Sequence, residues 1–214
     1  MAEKIILPIP FYPNTSDDPN RCAQVSMLSV LKYATGKDFE IEELDRATGR
    51  RIGLGTSTPQ IAVALYELGL EVTYYSKTDA SPWLEGEAGV RKAYGDAAEF
   101  TLKMADIPKI VEAVRKMGEY GIFELRQIGM DEIEEQLRKG RAIVALIDWN
   151  TIKGRNAYQG HFVVVTGFDD ASVYLHQSGP ADPSQNMAIE KSLFLNAWNA
   201  NGTDNDLIVV HGKR

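Results

Sequence analysis

A chain of 214 residues with 44% hydrophobic and 25% charged residues can bury about 70% of its unfolded surface without metal or disulfide staples, so disordered, collagen-like and fibrous classes fall away. Its 23 basic and 30 acidic side chains leave a net charge of -7, the reverse of a nucleic-acid-binding footprint. The single cysteine, Cys22, excludes an internal disulfide and a multi-cysteine zinc site, and the Ile5 to Ile9 run, cut by Pro8, is too short for a secretion signal or a membrane span. These features describe a cytoplasmic protein with no membrane or nucleic-acid partner.

The segment before Asn20, with Pro8, Pro10, Pro13 and Pro19 and the polar run Asn14 to Asp18, reads as extended chain and loop. From Arg21 to Tyr33 apolar residues crowd a stretch free of Gly and Pro, which predicts a buried helix capped at Asn20, with Cys22 in its first turn. A second helix is expected over 41–47. A third has Thr58 as cap, Pro59 at its first position and Gly69 at its end, and 70–75 alternates as a strand.

Residues 81–123 are mostly helical in pattern and show no chemical motif. They read as a helical insertion in a chain that is otherwise one domain over 1–214. A helix over 130–139, capped at or just before Asp131, precedes the β-branched run Ala142 to Ile147, which reads as a buried strand. His161 to Phe168 forms another strand, turned by Asp169 and Asp170 into Val173 to His176 as an antiparallel hairpin. A helix over 191–199 and a strand over 206–211 finish an α+β layout, with helices early and antiparallel strands late.

Cys22 at a helix N-terminus is placed where free amides favour a thiolate. A nucleophilic cysteine also needs an imidazole, and the imidazole needs a group that fixes its tautomer. Of the three histidines, His161 opens a strand after a Gly-containing loop, His176 ends the next strand, and His211 lies near the C-terminus. The loop Gly53 to Thr58 lacks the ending of a phosphate loop and reads as a cap, with Thr56 on a cleft wall. Trp149, Tyr158 and Trp198 border a substrate groove or belong to the core; the sequence does not choose. No histidine falls at metal-ligand spacing, and no cofactor is implied.

The order of helix-borne Cys22, the strand Gly160 to Asp170, then Val173-Tyr174-Leu175-His176-Gln177 and Phe194-Leu195-Asn196-Ala197-Trp198 resembles the papain-like cysteine peptidase superfamily, in its bacteriocin-processing, double-glycine leader peptidase branch. The resemblance implies a helix carrying Cys22 packed on a C-terminal antiparallel sheet, a peptide or small amide substrate, Cys22 as nucleophile and His161 as base. It places Gln177 where relatives carry Asp or Asn, and Ser16 where they carry the oxyanion Gln. Asn14 is the substitute donor, and Gln24 and Asp182 are further candidates for the oxyanion and orienting roles. Ala23 stands where relatives carry Gly. A peptidase, a binding module without catalysis and a thioester-based acyltransferase all fit this pattern.

Overall fold

The structure, a computed structural model, describes residues 3–15 and 18–214. Its helices are α1 (Cys22–Thr35), α2 (Ile41–Thr48), α3 (Thr58–Glu67), α4 (Glu87–Tyr94), α5 (Ala98–Met104), α6 (Ile107–Tyr120), α7 (Met130–Arg138), α8 (Trp149–Ile152) and α9 (Lys191–Trp198). Its strands are β1 (Ile5–Ile6), β2 (Leu70–Ser76), β3 (Phe123–Leu125), β4 (Ala142–Asp148), β5 (Gly160–Phe168), β6 (Ser172–Gln177), β7 (Ser184–Glu190) and β8 (Leu207–Lys213). They form one sheet in the order β3-β2-β8-β4-β5-β6-β7, with β1 paired to β5. Every pairing is antiparallel except β2 with β3. The architecture is α+β, with the Cys22 helix packed on a mostly antiparallel sheet.

Both sheet faces are covered, which is why β4 and β5 read as continuous apolar runs. Val144, Val164 and Ile208 belong to the core under α1, α2, α3 and α6. Their neighbours Ile143, Val163, Val165 and Val209 join Ile133, Leu137, Phe194 and Trp198 from α7 and α9 on the opposite face. A shift of one residue in register would exchange the two sets. Trp198 is therefore core: it is fully buried, and its Nε1 donates to the Asp206 carbonyl at 3.1 Å. At Gly167 an added Cβ would lie 2.1 Å from the Ile5 carbonyl oxygen, so only glycine lets β1 close over β5.

Several local expectations need correction. Cys22 does open α1, but Asn20 is not its cap. Pro19–Arg21 form a 3-10 turn, and the Asp18 carboxylate caps that turn by accepting the Asn20 N–H at 2.9 Å. Helix α3 is capped by Ser57, not Thr58, with Gln60 Oε1 accepting the Ser57 N–H at 2.9 Å, a capping box in which Thr58 becomes the first helical residue. Strand β3 lies where helical pattern was expected to continue to Phe123. Strand β7 escaped notice because its run is polar and Asn186 sits at φ 50°.

Candidate active site

Helix α1 reaches the sheet at the start of β5, where Ser26 Oγ donates to the Phe162 carbonyl at 3.4 Å. Cys22, four residues earlier on the same helical face, opens with His161 and Gln177 onto one cleft of about 1130 Å³. The Cys22 sulfur lies among the backbone N–H groups of Phe162, Ala23 and Cys22 itself, within the field of Arg50. Burial pushes the thiol up from its ordinary value, and the N–H groups and Arg50 act against that push. A thiolate formed here meets donors already in place.

His161 is held on three sides. Trp149 packs against its ring at a centroid separation of 5.4 Å. The preceding loop is tied by Asp148, whose Oδ1 accepts the N–H groups of Gln159 at 2.8 Å and Asn150 at 3.1 Å. Tyr158 lies over Gly160, where an added Cβ would come within 2.6 Å of the tyrosine hydroxyl. Burial drives the imidazole down to about 4, with the Gln177 bond opposing it, so the ring is neutral near pH 7.

The hydrogen bonds of Gln177 fix the tautomer. Its Nε2 donates to the carbonyls of Ala181 at 2.6 Å and Asp182 at 3.1 Å, and its Oε1 accepts the Gly179 N–H. Oε1 is therefore an acceptor toward His161 Nε2, 3.2 Å away, so Nε2 carries the proton and Nδ1 keeps its lone pair. The Asp182 side chain does not enter this arrangement: its carboxylate pairs with Lys153 at 3.7 Å.

Of the other expected residues, Trp149, Tyr158 and Thr56 all line the cleft. Asn14 does not. Its amide donates to the Asp18 carbonyl at 3.1 Å and its N–H to the Ser178 carbonyl at 2.6 Å, so it ties the leading loop to the end of β6. Gln24 is fully buried and donates to Thr48 and Thr56, each at 3.0 Å. Ser16 lies outside the described residues. His176 is structural: its Nε2 donates to the Ile9 carbonyl at 2.9 Å, and its Nδ1 accepts the Asn186 N–H at 3.1 Å.

Sequence reasoning missed the far half of the cleft. The segment 81–123 supplies Trp83, Tyr94, Thr101 and Met104 as wall, and the loop before β8 supplies Asp204 and Asp206. Asp206 Oδ2 accepts Thr58 Oγ1 at 2.5 Å and its Oδ1 accepts the Tyr74 hydroxyl at 2.8 Å. Burial pushes Asp206 up to about 7, against the Thr58 bond. Asp79, Asp204 and Asp206 line the cleft, and among the described residues no Lys or Arg does. Among these residues no group of three or more His, Cys, Asp or Glu is placed to hold a metal ion, and no helix is long and apolar enough to cross a membrane.

Residues 20–210 match the family model described as Guanylylate cyclase. Guanylyl cyclase 1 of Arabidopsis thaliana is 25% identical over 207 residues, which cover 89% of this chain and 71% of that protein. A C39-like peptidase from Bacillus anthracis superposes with a TM-score of 0.60 at 16% identity, over 99% of this chain and 98% of that one. The peptidase domain of Streptococcus ComA gives 0.51 at 15% identity, over 94% and 97%. The fold is that of C39-like, papain-like peptidase domains.

Proposed function

With the premise that this chain belongs to the guanylylate cyclase family and has a C39-like peptidase fold, we propose that it cleaves peptide or small amide bonds through a thioester on Cys22. The observation that carries this reading is the His161 Nε2 to Gln177 Oε1 bond, which leaves Nδ1 its lone pair on a ring that lines the same cleft as Cys22. We take 1–214 as one peptidase-like domain in which residues 81–123 are an insertion.

In this mechanism His161 Nδ1 takes the thiol proton as the sulfur bonds to the carbonyl carbon. The N–H groups of Cys22 and Ala23 at the start of α1 face the charge that develops on the carbonyl oxygen. Collapse breaks the C–N bond, and the amine leaves with the proton from His161. Water, deprotonated by His161, then attacks the thioester carbon, and the acid departs as the thiol is restored. Gln177 brings no charge, so it orients the imidazole without stabilising an imidazolium. The neutral resting pair follows from that choice and from burial.

The family's name favours a second reading, chemistry on a guanine nucleotide. The lining of the cleft weighs against it here, because phosphates are held by Arg, Lys or clustered N–H groups and this cleft presents three aspartates and no basic side chain among the described residues.

Iodoacetamide alkylation separates the two readings. The native chain is expected to react at Cys22 near pH 7 at least about tenfold faster than His161→Ala. A rate indifferent to His161 counts against the thioester reading. Guanine-nucleotide cyclisation that persists in both Cys22→Ala and His161→Ala would instead transfer the activity in the family's name to this chain.

A further inference from the structure

The cleft continues past the reactive pair. Tyr158, Asp204 and Asp206 line the same cleft as Cys22, so the acidic recess is part of one cavity with it. Asp206 is 6% exposed. Its donors, the hydroxyls of Thr58, Tyr74 and Ser76, are neutral, and Asp204 Oδ1 accepts the Thr78 hydroxyl at 2.9 Å.

Two half-buried acids elsewhere pair with cations, whereas Asp148, 7% exposed, is met by N–H and hydroxyl donors. Asp18 meets Arg50, and Asp45 meets Arg21 at 2.7 Å and Arg50 at 3.6 Å. Asp204 and Asp206 have no Lys or Arg within ion-pair distance among the described residues. A buried carboxylate without a cation is costly. Its place on a cavity wall beside a reactive centre is accounted for when the cation arrives with the ligand. Trp83 and Tyr94 line the same cleft with ring centroids 5.8 Å apart, and aromatic rings attract ammonium and guanidinium groups.

We propose that the recess formed by Asp204, Asp206, Trp83 and Tyr94 is a subsite for an alkyl-guanidinium or alkyl-ammonium group carried beside the acyl group that Cys22 attacks. The substrate class so named, a cationic amide, rests on the thioester reading above. The two carboxylates hold the cation's N–H groups, and the rings cover its faces.

The test uses the full chain carrying Cys22→Ala, so that no reaction consumes the probe, and isothermal titration with N-acetyl-arginine amide, its citrulline analogue and agmatine. The arginine amide is expected to bind at least about tenfold more tightly than the neutral citrulline amide. That preference is expected to fall to about threefold or less in Asp206→Asn and in Asp204→Asn. Asp206→Asn keeps one of the two acceptor oxygens that Thr58 and Tyr74 use, and Asp204→Asn carries the test if the first variant fails to fold. Tighter binding by the amide than by agmatine assigns the cation to a peptide side chain; the reverse assigns it to a free amine, and both support the subsite. Equal binding of the arginine and citrulline amides, binding by neither, or a preference that survives both substitutions overturns it. Because Cys22 is absent, such a failure leaves the thioester reading standing, and a His161-independent alkylation rate leaves the subsite standing.

Discussion

At one end of the cleft burial holds His161 neutral, driven down to about 4, and keeps the Cys22 thiol protonated, whereas at the other end two carboxylates sit among hydroxyls with no cation beside them among the described residues. At the Cys22 end, the bonds of Gln177 put the proton on His161 Nε2 and leave the lone pair on Nδ1. The acidic end is under-compensated and gains when a positive group enters. The contrast separates reactivity, which needs a fixed tautomer, from selectivity, which needs an unmatched charge.

The sharpest way to break this contrast is to remove the base. His161→Ala is expected to lower kcat/KM for a p-nitrophenyl ester by about a thousandfold, measured against native protein at pH 7. A loss below tenfold would place proton transfer elsewhere. The native profile adds a check on sign: His161 must be neutral to act, so activity is expected to fall only as pH drops through about 4. An acid limb near 6.5 would mean that the imidazole is not desolvated.

Asp206 gives the next largest effect. Its folded value, about 7, stands above the model-compound 3.8, so its contribution to stability is present in full below 3.8 and is lost as pH rises through 7. Asp206→Asn removes that loss, and its stability relative to the native chain is expected to rise by about 2 to 4 kcal/mol between pH 4 and pH 8. Urea melts at the two pH values read this directly. A pH-independent difference would show that the carboxylate is ionised throughout. His161 acts in the opposite sense, since its depressed value costs stability as pH falls from 6.5 toward 4.

Gln177→Ala is expected to lower kcat/KM by roughly tenfold through loss of the tautomer lock. The Gln177 bond raises the His161 value, so the variant's acid limb is expected to move to lower pH, a shift that a purely structural role would not produce. The smallest effect belongs to Asn14. Asn14→Ala is expected to cost about 1 kcal/mol of stability in thermal melts while leaving ester turnover within about threefold. A large loss of turnover would return Asn14 to the oxyanion site.

The half of the cleft proposed to carry reactivity could be traced in the sequence because its signals are local. Cys22 opens an apolar run, His161 opens a β-branched strand, and Gln177 ends the next one. The acidic half could not, because its contacts join distant segments: Thr58 and Tyr74 reach Asp206 across 148 and 132 residues. Nothing in the helical pattern of 81–123 announces that Trp83 and Tyr94 face that cavity. Asn14 lies two residues upstream of the spacing at which relatives carry the oxyanion donor, and its amide donates to the Asp18 carbonyl, a preference of the loop that spacing does not encode. Likewise Asn20 suits a cap by type, yet Asp18 performs that role one 3-10 turn earlier.

The account is tested most directly by exposing the full chain to p-nitrophenyl acetate, quenching with acid and reading the intact mass. It predicts a single acetyl group on Cys22 that hydroxylamine removes and that fails to accumulate in His161→Ala over the same interval. No adduct on Cys22, or one that forms equally fast without His161, would contradict it.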